Sequence, residues 1–373
     1  GSVGKQLTET VASEVRMLAE GGAPSDRLHV FIRVVPQRVD GVKGWRDVRG
    51  IVLRRLTMWR EGRFDALVQE ALRATAVFQN KVRRSQPVAA GEEHVTRVFR
   101  RLCNDGKYRA ALRFVAERDK GGVLMPDDQI EVKGACVTVR DVLLEKHPAP
   151  QEPSAEAMAP YETLPELMPL DISAEMIEKV ARQLQGGAGP SGAHSTWWEH
   201  WLVRQGKPSE QLREAVASLA CRLANTVVPW EDMRALVANR LIALDKCPGV
   251  RPIGVGECLR RVLGKAVMQA AGRDLKEQCG SDQLCANLEG GIEGAVHAMC
   301  AEFDQRSDTD GWGVLLVDAS NAFNALNRKA ALWRARHRWP AAARYLYNTY
   351  KGWAPLILAG SDQPLYSREG VTQ

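Results

Sequence analysis

The sequence lacks a long apolar run, the apolar segment of a secretory signal and an initiator methionine. The 373 residues contain no run of 18 or more apolar residues, so no membrane-spanning helix is expected. The first residues, GSVGKQLTETVASEV, lack the apolar segment of a secretory signal. They also lack an initiator methionine, which suggests a piece of a longer chain.

The eight cysteines are scattered, and no two of them form a Cys-x-x-Cys pair. A zinc site of ordinary spacing is therefore not expected. Unpaired, scattered cysteines are typical of a protein that works in a reducing intracellular compartment.

Positive charge is in excess and unevenly distributed. The net charge is +6, and residues 1–150 hold 27 Lys and Arg against 19 Asp and Glu. A basic surface attracts polyanions by counterion release, although a solvated helical surface would explain the same charge. Arg100 and Arg101 lie in a basic stretch whose apolar residues recur at helical spacing, so they are weak candidates for nucleic-acid binding.

Composition divides the chain into four regions. Residues 1–147 are interpreted as a helical N-terminal extension, of which residues 1–117 have mostly helical spacing, and residues 148–170 form a linker or strap rich in Pro and Glu. In the third region, 171–310, DISAEMIEKVARQLQ predicts a helix that Asp171 or Ser173 caps. The fourth region is 311–373.

Two stretches of the third region could approach phosphates. GGAGPSGAH contains Gly189 and Ser191, and its glycines would allow close backbone contact, although glycine-rich turns are common. DKCPGVRPIGVG predicts two strands around a turn, with Lys246 and Arg251 beside it. Such a hairpin could bind a triphosphate, and a plain surface turn is the alternative.

The fourth region opens with GVLLVDASNAFNALNR, an apolar run that ends at Asp318. We expect residues 313–318 to form a buried strand. A carboxylate at the end of a buried strand needs compensation, and a divalent metal is one way to provide it. A turn or helix N-cap aspartate is the alternative.

These motifs, in this order, resemble those of reverse transcriptases, with the enzymes of non-LTR retrotransposons closest. Asp318 matches the metal-binding aspartate of the first palm motif, and Phe323 matches the aromatic residue that excludes a 2′-hydroxyl. Arg328 matches a position that often carries arginine. The remaining motif matches are GPSG at 189–192, Lys246 and Arg251-Pro252-Ile253 in the fingers, Gln283 with Gly290, Gly291, Glu293 and His297, and REGVTQ ending at Gln373.

The resemblance implies an α+β fold. A helical N-terminal extension would precede fingers at 171–310 and the start of an antiparallel palm at 311–373, with strands at 313–318 and 354–360. Lys246, Arg251, Phe323 and Gln373 would bind the incoming nucleotide, while Gly189, Ser191, Gln283, Arg100 and Arg101 would contact nucleic acid more weakly. The implied cofactor is Mg²⁺, the implied partners are an RNA template, a DNA primer and dNTPs, and the implied location is the nucleus of a eukaryotic cell.

The sequence departs from the family in one decisive respect, since no Tyr-x-Asp-Asp motif is present. Asp127-Asp128 follows a proline and is interpreted as a turn. A single aspartate cannot fix two metals, so we expect this chain not to polymerise by itself. The alternative is a non-catalytic nucleic-acid-binding protein derived from such an enzyme. Phe323 disfavours a third alternative, a polymerase that copies RNA into RNA.

Overall fold

The computed structural model describes most of the chain. The described residues are 1–42, 44–84, 92–116, 122–132, 134–159, 163–246, 249–280, 283–284, 289–306, 308 and 311–371.

Helices dominate the described residues. In chain order they are α1 (Ser2–Glu20), α2 (Ser25–Val34), α3 (Trp45–Arg60), α4 (Phe64–Arg84), α5 (Glu92–Asn104), α6 (Tyr108–Ala116), α7 (Val139–Lys146), α8 (Ala174–Arg182), α9 (Ser195–Val203), α10 (Lys207–Asn225), α11 (Trp230–Met233), α12 (Cys258–Cys279), α13 (Gly291–Arg306), α14 (Ala322–Ala325), α15 (Arg328–Arg338) and α16 (Pro340–Tyr350). The strands are β1 (Val123–Leu124), β2 (Gln129–Val132), β3 (Ala135–Thr138), β4 (Asn239–Asp245), β5 (Val250–Gly256), β6 (Ala354–Leu358) and β7 (Leu365–Ser367).

Local sequence explains where several helices begin and end. The Ser173 hydroxyl accepts a hydrogen bond from the Met176 N–H at 3.3 Å, so Ser173 rather than Asp171 caps α8. Helix α1 ends at Gly21, whose positive φ of 77° suits glycine, and Gly22 N–H returns to the Met17 carbonyl. In α10, Leu212, Val216, Leu219 and Leu223 recur at helical spacing and are buried.

The larger hydrophobic core joins both ends of the chain. Helices α1 to α4 contribute to the same cluster of buried side chains as α8 to α12 and α16. Helix α1 packs along α10. The Pro- and Glu-rich segment at 148–170 therefore does not separate two independent cores.

That segment is itself fastened to the rest of the molecule. The Leu170 N–H and carbonyl bond to the side chain of Asn225 at 2.8 and 2.7 Å. The Asn327 amide donates to the Gln151 carbonyl at 2.8 Å. Since both ends are held, the segment is a strap across the surface rather than a free linker.

The larger sheet is mixed, whereas the resemblance implied an antiparallel palm. Strand β4 pairs antiparallel with β5 from Asn239–Gly256 to Asp245–Val250, and parallel with β6 on its other edge. Strand β1 pairs with the far end of β4, and β7 pairs antiparallel with β6. Helix α7 covers one face of this sheet and forms the smaller core with Leu241, Ala243, Leu356 and Leu358.

The strands predicted around a turn at 246–251 and at 354–360 are present as β4, β5 and β6, but the predicted strand at 313–318 is not. Residues 313–318 have no assigned strand in the structure, and Leu315, Leu316 and Val317 are 87%, 86% and 83% exposed. An extended segment is stable in a sheet only when a neighbouring strand satisfies its backbone groups. No described residue donates or accepts a main-chain hydrogen bond there, so this prediction was wrong for the chain as described.

No helix among the described residues is long and apolar enough to cross a membrane.

The exposure of Leu316 predicts that Leu316→Ser lowers the free energy of unfolding by less than about 0.5 kcal/mol, as for other surface changes. The control Leu219→Ala removes a fully buried side chain of α10 and should cost about 2–5 kcal/mol. Urea denaturation of both variants measures the difference. Comparable losses in the two variants would show that Leu316 is buried in a strand.

Candidate nucleotide and nucleic-acid site

The hairpin of β4 and β5 carries Lys246 and Arg251 near its turn. Lys246 N–H donates to the Gly249 carbonyl at 3.0 Å, which closes the turn, while residues 247 and 248 lie outside the described part. Side chains alternate between the faces of a strand. Leu241, Ala243 and Val250 are buried against α7, whereas Arg251 pairs with Leu244 on the other face and is exposed. Lys246 is exposed as well. The hairpin therefore presents two cations near its turn.

The glycine-rich loop lies at the base of this hairpin and is held by Glu257. The Ser191 N–H and hydroxyl donate to the two carboxylate oxygens of Glu257 at 2.6 and 2.7 Å. Ser191 and Glu257 are 5% and 1% exposed. The hydroxyl of Ser191 is thus engaged inside the protein, which gives it a structural role.

Gly189 is required by the same close approach. A Cβ at this position would lie 2.8 Å from the Glu257 main-chain nitrogen, closer than real side chains come. Arg240 Nε donates to the Ala188 carbonyl at 3.1 Å, and Arg261 Nη1 donates to the Gln185 carbonyl at 2.9 Å. The loop is fixed to β4 and α12 by these contacts.

Asp318 and Phe323 lie in the segment that leads to α14. Asp318 is exposed, and the turn that follows it has Asn321 in the left-handed region with φ 53°. Asn321 is held by its side chain, whose Nδ2 donates to the Lys146 carbonyl at 2.9 Å. Phe323 is 54% exposed, so it is not a core residue.

The chain returns to Phe323 at its far end. Val371 N–H donates to the Phe323 carbonyl at 2.7 Å, and Gly370 N–H donates to the Leu326 carbonyl at 2.8 Å. A Cβ on Gly370 would lie 2.1 Å from the Phe323 carbonyl oxygen, and its φ of 71° also favours glycine. Gln373, the predicted nucleotide-binding residue, lies outside the described residues.

We call the contact of Gly370 and Val371 with Phe323 and Leu326 the junction. The buried side chain of Arg328 holds it together. Its guanidinium donates to the carbonyls of Gly352, Ser367, Glu369 and Gly370 at 2.9–3.1 Å and to the Ser367 hydroxyl at 2.9 Å. The Arg328 N–H donates to the Glu369 carboxylate at 2.7 Å. Arg328 is 7% exposed, and burial lowers the pKa of its guanidinium, with the nearby Glu369 carboxylate opposing that shift.

Glu369 links the strap to the same junction. One of its carboxylate oxygens accepts from Arg328, and the other accepts from the Gln151 N–H at 2.7 Å. Glu257 and Glu369 are both almost fully buried and both were missed from the sequence. Neither has a local pattern that distinguishes it from a surface glutamate, since each role is set by a segment distant in sequence.

The remaining predicted residues are not brought to this place by contacts among the described residues. Arg100 and Arg101 are exposed on α5, which packs against α6. Together with Arg97 they line an open cavity of about 750 Å³. Gln283 is exposed, and six of the residues around it lie outside the described part.

The described residues do not complete a two-metal site. No group of three or more His, Cys, Asp or Glu side chains among them is arranged to hold a metal ion. Asp318 supplies one carboxylate only. Mg²⁺ can be bound through one or two carboxylates together with substrate phosphates, but two ions need more oxygen ligands than Asp318 offers.

Comparison with known proteins gives no family assignment. No family model matches the chain, and no curated protein matches it either.

The hydrogen bonds of the Arg328 guanidinium predict a loss of stability when this side chain is replaced. Arg328→Lys keeps the charge but loses the forked guanidinium, which leaves several buried carbonyl groups without a donor. We expect the free energy of unfolding to fall by about 3 kcal/mol, since each unsatisfied buried group costs about 1–3 kcal/mol.

Urea denaturation measures this loss, and Arg338→Lys at an exposed position of the same helix is the matched control. The control should change the free energy of unfolding by less than about 0.5 kcal/mol. Equal effects of the two substitutions would contradict the role of Arg328 as the fastening of the junction.

Proposed function

We propose that this chain is part of an RNA-directed DNA polymerase of the reverse-transcriptase type, from a non-LTR retrotransposon. Five motifs in the family's order support the proposal. The observation that carries it is the junction at which Val371 bonds to Phe323, because two motifs that would share a nucleotide pocket are adjacent there. The two motifs are separated in the sequence, so their contact depends on the fold.

In this proposal the exposed candidate residues of the hairpin and of the segment before α14 have separate roles. Lys246 and Arg251 would contact the triphosphate of the incoming nucleotide, and Phe323 would lie under its sugar. Asp318 would supply one carboxylate to Mg²⁺, which in such enzymes activates the primer hydroxyl and neutralises charge on the phosphates. The described residues alone leave this metal site incomplete.

A non-catalytic nucleic-acid-binding role is the second candidate. It is favoured by the lone carboxylate at Asp318 and by the surplus of basic residues, since binding through phosphates needs charge and no metal. It shares the partners of the first proposal, except for the dNTPs. In both cases the proposed location is the nucleus of a eukaryotic host.

Primer extension on an RNA template separates the two candidates. We expect no synthesis by the 373-residue chain and synthesis by a polypeptide that continues in the same reading frame. In the active form Asp318→Asn should reduce the rate of synthesis at least about a thousandfold, since it removes a metal ligand.

The control Asp362→Asn changes another exposed carboxylate and should leave synthesis unchanged. Both variants should unfold at the urea concentration of the parent, because neither side chain is buried. Normal synthesis by Asp318→Asn would exclude the metal-ligand role, and no synthesis by the longer form, with RNA binding kept, would favour the non-catalytic candidate.

The sugar preference of the active form tests Phe323. Phe323→Val should allow ribonucleotides to be added, because the smaller side chain leaves room for a 2′-hydroxyl. The half-exposed position of Phe323 means that this change should cost little stability. Single-nucleotide addition with dNTP and rNTP gives the ratio, and an unchanged ratio would mean that Phe323 does not lie under the sugar.

A further inference from the structure

Helix α15 is the most basic element of the described chain. Its eleven residues, RKAALWRARHR, include five Lys or Arg and one His, and no Asp or Glu. Arg328 is used in the junction, and Lys329 forms an ion pair with Glu152 of the strap. The other basic residues begin after Trp333, so positive charge extends along the C-terminal half of the helix.

A cleft of about 450 Å³ lies between α15, α16 and the strap. Its walls are mostly apolar and include Met158, Leu332 and the aromatic rings of Trp333 and Tyr347. Arg336 and Arg344 also line it, and no carboxylate does among the residues that form its walls. A cleft of this size is in the range that admits one planar group.

No hydrogen bond or ion pair joins either arginine to another residue of the described chain. Arg336 Nη1 is buried and has no hydrogen-bond partner in the described part of the chain. Arg344 likewise makes no hydrogen bond or ion pair with the described residues. Because both side chains line the cleft and neither has an acceptor among the described residues, an anionic group that entered the cleft would find donors in their guanidinium groups.

The aromatic residues are held in place while part of their surface stays accessible. Trp333 Nε1 donates to the Ala159 carbonyl at 3.3 Å, and its ring meets His337 edge to face at 4.3 Å. Tyr347 is 45% exposed, and Lys351 Nζ lies 5.4 Å from its ring centroid. Fixed rings beside cations are the features on which single-stranded nucleic acids bind, with bases stacked and phosphates paired.

We propose that the cleft between α15 and α16 binds a single-stranded nucleic acid, with one unstacked base among the aromatic side chains and phosphates on Arg336 and Arg344. Base pairing in a duplex would prevent a base from entering the cleft. An acidic peptide is the competing ligand, but the walls of the cleft are mostly apolar and include two aromatic rings beside two arginines. Such walls suit a base together with its phosphates better than an acidic side chain alone.

This site is separate from the polymerase proposal, since none of its residues belongs to the junction of Phe323 and Val371. Its test measures binding and needs no synthesis. Synthesis reports on Asp318 and RNA affinity reports on Arg336 and Arg344, so failure of either proposal is distinguishable from failure of the other.

The experiment uses fluorescence anisotropy with the full chain and a labelled RNA of 12 nucleotides without secondary structure, over a range of salt. The double variant Arg336→Gln with Arg344→Gln should bind about tenfold more weakly. The slope of log affinity against log salt should fall by about 1.4, because about 0.7 is lost for each phosphate contact on a single strand.

Three further variants make the result specific. Replacing exposed Arg16 and Arg73 by Gln removes the same charge elsewhere and should leave affinity within about twofold. Arg336→Lys with Arg344→Lys should keep the salt slope. Tyr347→Ala should lower affinity about fivefold or more without changing the slope, because it removes stacking and no charge.

Circular dichroism should show that each variant is folded. Wild-type affinity and slope in the Gln double variant would overturn the proposal, as would an equal loss in the Arg16 and Arg73 control. Displacement of the RNA by a glutamate-rich peptide of equal charge at the same concentration would assign the cleft to an acidic segment of a protein instead.

Discussion

The buried guanidinium of Arg328 is the interaction on which the junction of the two ends of the fourth region depends. A charged group in this position is costly unless its donors are satisfied, and here they are satisfied by the carbonyls of Gly352, Ser367, Glu369 and Gly370. The segment after β7 must therefore follow the shape of the guanidinium. That path takes Gly370 against the Phe323 carbonyl, where only a glycine fits. One charge consequently determines which residues meet at the candidate nucleotide pocket.

Two buried glutamates likewise bind main-chain groups of segments that are distant in the sequence. Glu257 accepts from the loop at Ser191, and Glu369 accepts from the strap at Gln151 and from α15. Each carboxylate accepts from at least one main-chain N–H, and each of these bonds joins residues at least 41 positions apart in the sequence. The glycine loop and the strap are thus parts of one fixed scaffold around the hairpin and the junction, and the strap holds α15 at one end.

How far the sequence predicts this structure depends on whether a feature is local. Spacing and turn residues within a few positions predict a capped helix after Asp171 or Ser173 and a hairpin around the turn between Lys246 and Arg251. The buried roles of Glu257, Arg328 and Glu369 could not be predicted in this way, because their partners are distant in the chain. The strand expected at 313–318 was wrong for a related reason. An apolar run indicates that a segment could be buried, but burial requires a neighbouring strand or helix that packs against it.

Asp318 ends a segment that is apolar in composition but exposed in the structure. Helix α13 buries none of its residues, and the segment after it is attached to it through the rings of Phe303 and Trp312, whose centroids are 5.0 Å apart. From Leu315 to Asp318 the chain is exposed on all sides. A catalytic carboxylate must be held to within about 0.5 Å, which requires packed neighbours and supporting hydrogen bonds. The main chains of Phe323 and Val371 are joined by a hydrogen bond, whereas Asp318 has no such support from the described residues. The proposed nucleotide pocket and the proposed metal ligand therefore differ in preorganisation, and chemistry at Asp318 would require a further surface to cover residues 314–318.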